Sequence, residues 1–263
     1  MAEMLVEVTG VTKEFHTGEV TVRALRGLDL SIGEGEFLAI VGPSGSGKTT
    51  LLNLIGALDE ATNGEVRAMG RDLGALSRQE RAELRLHAFG FVFQAYNLLP
   101  VLTARENVEF VLELQGVGAE RRDRAVSVLS ELGLGELLDR RPTEMSGGQQ
   151  QRVTVARAIA ARPRLVLADE PTANLDSENS EALIEMMKRL RDEQGTTFVF
   201  ATHDPLVMQH ALRIVHLRDG RVERDERKEG RAAARTERDA REKGRGDDHA
   251  GPEDDGNGAG GAS

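Results

Sequence analysis

The stretch Gly42-Pro43-Ser44-Gly45-Ser46-Gly47-Lys48-Thr49-Thr50 constrains this chain more than any other part of it. It matches G-x-x-x-x-G-K-[ST], and the match has the context that the pattern requires. The apolar run Phe37-Leu38-Ala39-Ile40-Val41 before it reads as a strand, and Leu51-Leu52-Asn53-Leu54-Ile55 after it reads as a helix. A glycine-rich turn between the two lets backbone N–H groups converge on a phosphate without a Cβ in the way. The new helix turns the positive end of its dipole toward the same phosphate. Lys48 adds a point charge for β- and γ-phosphates, and the Thr49 hydroxyl is placed for Mg2+.

Three further apolar runs end in polar residues. Phe89-Gly90-Phe91-Val92-Phe93 ends at Gln94, Arg164-Leu165-Val166-Leu167-Ala168 at Asp169-Glu170, and Thr196-Thr197-Phe198-Val199-Phe200-Ala201 at Thr202-His203-Asp204. In a parallel sheet the carboxyl ends of the strands share one edge, where ligands bind. An Asp there suits Mg2+, often through water. Glu170, where the strand frays, suits a group that orients and deprotonates a water. Taken alone, Gln94 reads as a strand-end side chain bonded to its own loop, and Phe15 as a packed ring.

A second glycine-rich helix start lies at Ser146-Gly147-Gly148-Gln149, ahead of a helical pattern from Val153 to Ala161. It is read as a phosphate contact, with a simple Ser cap as the alternative. Ser77 with Glu80 and Thr103 with Glu106 read as capping boxes. The helices expected over 103–115 and 119–132 fall between strands and suggest an inserted helical subdomain over about 95–160. A helix is expected from Thr172 to about Glu193, and a closing hairpin over 214–222.

The rest of the chain limits the class of protein. Among 263 residues there is no cysteine, and charged residues make up 30%. Disulfides, thiol catalysis and Cys-ligated zinc are therefore excluded. The net charge of −10 argues against a nucleic-acid partner. No run suits a membrane helix, and the start does not read as a signal peptide. Beyond Val222 there is no Val, Ile, Leu, Met, Phe or Tyr. Residues 223–263 are accordingly expected to be a charged, disordered tail whose removal costs no stability.

Taken together, the loop at 42–50, Gln94, Ser146-Gly147-Gly148-Gln149, Asp169-Glu170, Asn174-Leu175-Asp176 and His203 resemble, in order and spacing, the ATP-binding subunit of ABC transporters. The Arg-Pro before the signature and Phe93-Gln94-Ala95-Tyr96-Asn97-Leu98-Leu99-Pro100 look like the lipoprotein-release and macrolide-exporter branch. Met145 stands where Leu usually precedes Ser-Gly-Gly, and Phe15 where Tyr is common; neither departure puts ATP hydrolysis in doubt.

The resemblance implies an α/β fold: a P-loop NTPase (RecA-like) core with an antiparallel β subdomain and an inserted α-helical subdomain, over residues 1–222. It implies an ATPase with ATP and Mg2+ as cofactors. Phe15 would stack on adenine, and residues Gly42 to Thr50 would bind the phosphates. Ser146, Gly147, Gly148 and Gln149 would hold the γ-phosphate of the opposite subunit's ATP. Thr49, Gln94 and Asp169 would serve the metal, Glu170 would be the general base, and His203 would fix Glu170 and the γ-phosphate. Gln94 would also touch the attacking water, and Asp176 would work across the seam of a head-to-tail homodimer. Separate membrane permease subunits would dock near Gln94 to Leu102 on the inner face of the cell membrane, for export or extraction of lipoproteins, peptides or drugs. The alternative is an ATPase that pulls on a membrane protein without moving solute, as division-associated relatives do. A soluble phosphate-loop kinase or GTPase would have no use for the Ser-Gly-Gly-Gln signature.

Overall fold

The structure is a computed structural model and describes residues 4–18 and 20–228. Its strands are β1 (Met4–Thr17), β2 (Val20–Gly33), β3 (Phe37–Val41), β4 (Asn63–Ala68), β5 (Arg71–Asp72), β6 (Phe89–Val92), β7 (Leu165–Asp169), β8 (Thr197–Ala201), β9 (Arg213–Arg218) and β10 (Arg221–Arg227). Its α-helices are α1 (Lys48–Ile55), α2 (Arg78–Ala88), α3 (Ala104–Leu114), α4 (Arg121–Glu131), α5 (Gly147–Ala160), α6 (Ser177–Gln194) and α7 (Pro205–His210).

Two kinds of apolar pattern give two kinds of sheet. Strands β3 and β8 are buried at every position, as a strand covered on both faces must be. They lie in a six-stranded sheet of order β10-β9-β3-β8-β7-β6, parallel except for the β9–β10 pair. The other sheet, β2-β1-β4-β5, is antiparallel and mixes buried with exposed positions. One core cluster joins this sheet to the parallel one through Leu51, Leu54 and Ile55 of α1. A second lies on the opposite face of the parallel sheet and takes in Val108, Leu129, Val155 and Ile184 from α3, α4, α5 and α6.

Local signals set many helix ends. Ser77 and Thr103 form the expected capping boxes with Glu80 and Glu106. Helix α6, expected from Thr172, starts at Ser177: residues 171–175 form turns, and Asp176 accepts from the Asn179 amide as its N-cap.

Two expectations need correction. The alternation of residues 4–11 reads as a first strand ending at Val11, but β1 runs on through Phe15, because β2 pairs with it down to Thr17↔Val20. More consequentially, residues 223–227 are not tail: they complete β10. The cause is Arg213, whose side chain is buried in β9. Its Nε and Nη2 donate to the two oxygens of Asp225 at 2.8 and 2.6 Å, and its Nη1 donates to Glu36 and to the Ser31 carbonyl. The same bonds hold the Asp225 carboxyl below its ordinary pKa. An ion pair replaces the apolar pattern that the strand lacks. Residues 229–263, the remainder of the expected tail, lie outside the described residues.

Candidate nucleotide site

The loop from Gly42 to Gly47 follows β3, and the glycines at its two ends are required by contact. A Cβ on Gly42 would lie 2.1 Å from the Leu217 carbonyl oxygen, and one on Gly47 would lie 2.7 Å from the Ala24 carbonyl oxygen. Gly47 also has φ +104, a left-handed value open to glycine. It caps α1 with no side-chain hydrogen bond, so the first amides of the helix are left facing outward. Lys48 Nζ donates to the Gly42 and Pro43 carbonyls at 2.8 and 3.1 Å, which holds the ammonium against the loop. Beyond the loop, the amide of Gly220 in the β9–β10 turn donates to the Ser46 carbonyl.

The parallel sheet brings the other strand-end residues to this edge. Thr49 Oγ1 donates to Asp169 Oδ2 at 2.8 Å. Burial pushes the Asp169 carboxyl above its ordinary pKa, and the adjacent Glu170 adds to the shift, against the Thr49 bond and Lys48. Successive side chains on a strand point to opposite faces. Glu170 escapes that rule because its φ is +48, which turns the chain just after β7. Both carboxylates therefore line one cavity of about 740 Å³, together with Phe15, the phosphate loop, Gln94 and His203. Glu170 Oε1 lies 2.6 Å from His203 Nδ1, and its Oε2 accepts from Thr202 Oγ1 at 2.9 Å. A carboxylate only accepts, so an ionised Glu170 requires the proton on His203 Nδ1. Phe15 is 42% exposed, with Lys13 Nζ 5.0 Å from its ring centroid.

The residues expected at the opposite subunit's ATP stand apart from this cavity. Ser146, Gly147, Gly148 and Asp176 line a separate recess of about 400 Å³, with Tyr96, Arg152 and Asn174 among its walls. Ser146 Oγ accepts from the Gln149 amide, and the Ser146 amide donates to Gln149 Oε1 at 2.9 Å, a capping box. The amides of Gly147 and Gly148 remain at the tip, without intrahelical partners. The Asn179 amide holds the Asp176 carboxyl below its ordinary pKa. The two recesses share no lining residue. One chain thus carries two glycine-led helix tips that open into separate recesses.

Sequence reasoning gave no role to Thr202 or Tyr96. A polar residue directly after a buried strand is the signal for Thr202. Nothing local marks Tyr96, which reaches the recess only through its packing on α5.

Among the described residues no helix is long and apolar enough to cross a membrane. A family model described as ABC transporter matches residues 25–173. The macrolide export ATP-binding/permease protein MacB of Marinobacter nauticus is 50% identical over 222 residues, covering 84% of this chain and 34% of that protein. The chain thus spans about a third of the length of the MacB relatives it matches. The uncharacterized ABC transporter ATP-binding protein MJ0796 of Methanocaldococcus jannaschii is 46% identical, covering 86% of this chain and 98% of that one. A solved dimeric structure of the ATP-binding cassette MJ0796, in a post-hydrolysis state bound to ADP and Pi, superposes with a TM-score of 0.83 at 45% identity, covering 86% of this chain and all of that one. With the phosphate loop, the signature tip and the strand-end carboxylates in one fold of this kind, the chain belongs to the ABC transporter family and corresponds to its ATP-binding cassette.

Proposed function

We propose that this chain binds and hydrolyses ATP as a head-to-tail homodimer, and that each ATP lies between residues 42–50 of one copy and Ser146–Gln149 of the other. Membrane permease subunits then take up the motion. The observation that carries the reading is the left-handed turn at Glu170, which puts Asp169 and Glu170 side by side in the phosphate-loop cavity. The separation of the two recesses supports the dimer, since the signature tip has no access to the chain's own phosphates. The dimeric state and bound ADP and Pi of the MJ0796 cassette support it further.

Phe15 stacks on the adenine, and the loop amides and Lys48 bind the β- and γ-phosphates. Thr49 Oγ1 and Asp169 Oδ2 are hard oxygen donors 2.8 Å apart, a set that suits Mg2+, with Gln94 as a third group. Bound there, Mg2+ supplies neutralisation of phosphate charge. Glu170 takes a proton from the attacking water, whose oxygen forms the new bond to the γ-phosphorus as the bond to the ADP oxygen breaks. His203 and Thr202 hold the two oxygens of Glu170 in place. Gln149 secures the tip through its capping bonds, and Asp176 borders the seam.

The permease meets the segment from Gln94 to Leu102 and the start of α3. Leu99 and Val101 remain exposed in that segment, and Phe110 and Leu114 along the later part of α3; exposed apolar groups of this size mark interaction surfaces. On this reading the chain works on the cytoplasmic face of a membrane, as one part of an exporter or extractor of the macrolide-exporter type.

The test is Glu170→Gln. The variant keeps ATP binding, loses the base, and accumulates as an ATP-bound dimer on size-exclusion chromatography. Its kcat falls by about 10²–10⁴. Turnover at the wild-type rate would remove Glu170 from the mechanism.

A further inference from the structure

Lys13 and Phe15 stand two residues apart near the end of β1, and the ammonium of the first lies 5.0 Å from the ring centroid of the second. Phe15 is exposed and lines the phosphate-loop cavity, as does Val22, its partner across β2. Lys13 is not among the walls of that cavity, so its ammonium stands behind the ring. The Lys13 side chain is only 12% exposed and is fixed at its tip. Nζ donates to Asp59 Oδ1 at 2.6 Å and to the Glu60 carbonyl at 2.8 Å. These acceptors follow α1 directly, and the amides of Leu58 and Asp59 both donate to the Asn53 carbonyl of that helix. Two further bonds fasten the same segment to β1: the Glu14 amide donates to Thr62 Oγ1 at 3.0 Å, and the Thr62 amide to the Thr12 carbonyl at 2.8 Å. One lysine thus links an exposed ring to the far end of the helix whose first turn carries Lys48 and Thr49.

We infer that Lys13 is a positioning residue for the nucleotide base: it holds the Phe15 ring from behind and sets it relative to the phosphate loop, an inference that rests on the stacking of Phe15 proposed above. An exposed ring without such a contact turns among rotamers, and a base that lands on it must first immobilise it. A cation largely removed from water is attracted to the negative face of the ring, which takes away that freedom in advance. The Asp59 carboxylate and the Glu60 carbonyl satisfy donors of the ammonium, so it stays behind the ring instead of returning to water. Lys13 itself need not touch the nucleotide; it acts through the ring.

The test uses the full chain and two probes, ADP and inorganic pyrophosphate, which has no base. Affinities for both are measured by calorimetry for wild type, Lys13→Met, Lys13→Arg, Phe15→Ala and the double variant Lys13→Met/Phe15→Ala. Phe15→Ala lowers ADP affinity by about tenfold and leaves pyrophosphate unchanged. Lys13→Met, which keeps an unbranched stem and removes the charge, lowers ADP affinity by about threefold, again with pyrophosphate unchanged. Lys13→Arg retains a cation and restores most of the affinity. The double variant binds ADP no more weakly than Phe15→Ala alone, because the lysine acts only through the ring. Asp59→Asn loosens the anchor while keeping Lys13; it gives a smaller loss in the same direction and serves if Lys13→Met does not fold. Unchanged ADP affinity in Lys13→Met would overturn the assignment. So would an equal loss for pyrophosphate, which would mean damage to the phosphate loop, or losses that add in the double variant. If Phe15→Ala itself leaves ADP affinity unchanged, the stacking fails first and the role of Lys13 with it.

Discussion

Helices α1 and α5 both begin beside serine and glycine, and both aim a positive dipole end outward, yet their first turns are finished in opposite ways. At α1 the cap is a left-handed glycine with no side-chain bond, so the amides are left for a ligand. At α5 the capping box between Ser146 and Gln149 consumes one amide and ties down another. Lysine completes the first tip, whereas α5 has neither an acidic nor a basic residue within its first turn. The difference separates two tasks. On the proposed reading, the first tip holds a phosphate alone, and the second adds to a phosphate already held.

Variants on the two sides should therefore fail in different ways. Lys48→Ala removes a charge-assisted contact, and ADP affinity measured by calorimetry falls by about 100-fold. Ser146→Ala leaves ADP affinity unchanged and lowers kcat by about tenfold, together with the loss of a cap worth about 1 kcal/mol. An affinity loss in Ser146→Ala equal to that in Lys48→Ala would break the comparison.

A smaller effect sharpens it. Asp169, on the α1 side, has its carboxyl pushed up by burial. A carboxyl raised in this way favours the native state below its unfolded pKa, and that favour is lost as pH rises through the folded value. At neutral pH the charged form therefore weighs against the fold. Asp169→Asn should abolish hydrolysis and raise the melting temperature of the nucleotide-free protein by about 2–4 °C, with the gain shrinking as pH falls into the carboxyl range. Asp176, on the α5 side, is shifted the opposite way by its bond to the Asn179 amide, so a matching gain is not expected from Asp176→Asn.

What could be read from sequence follows the range of the forces involved. The strand, loop and helix at 37–55 are local, and the structure has each where expected. Two of the capping boxes are four-residue patterns, legible for the same reason. The shared edge for Gln94, Asp169 and Glu170 follows from parallel strands, a rule rather than a contact. The positive φ of Glu170 had no such sign, because a glutamate, unlike a glycine or asparagine, does not mark a left-handed turn. The far part of β10, residues 223–227, was hidden for another reason: Asp225 is held by a buried arginine twelve residues away, and a charged run reads as solvated until that arginine is found.

The β9–β10 turn reaches further than its position suggests. Gly220 donates to Ser46 in the phosphate loop and accepts from the Arg26 amide in β2, while Leu217 leaves no room for a side chain at Gly42. Anyone trimming the protein to its catalytic body should thus cut after Lys228 and not after Val222. The shorter piece would leave Arg213 without Asp225, at a cost of about 2 kcal/mol, and would loosen the buttress behind the very loop under study.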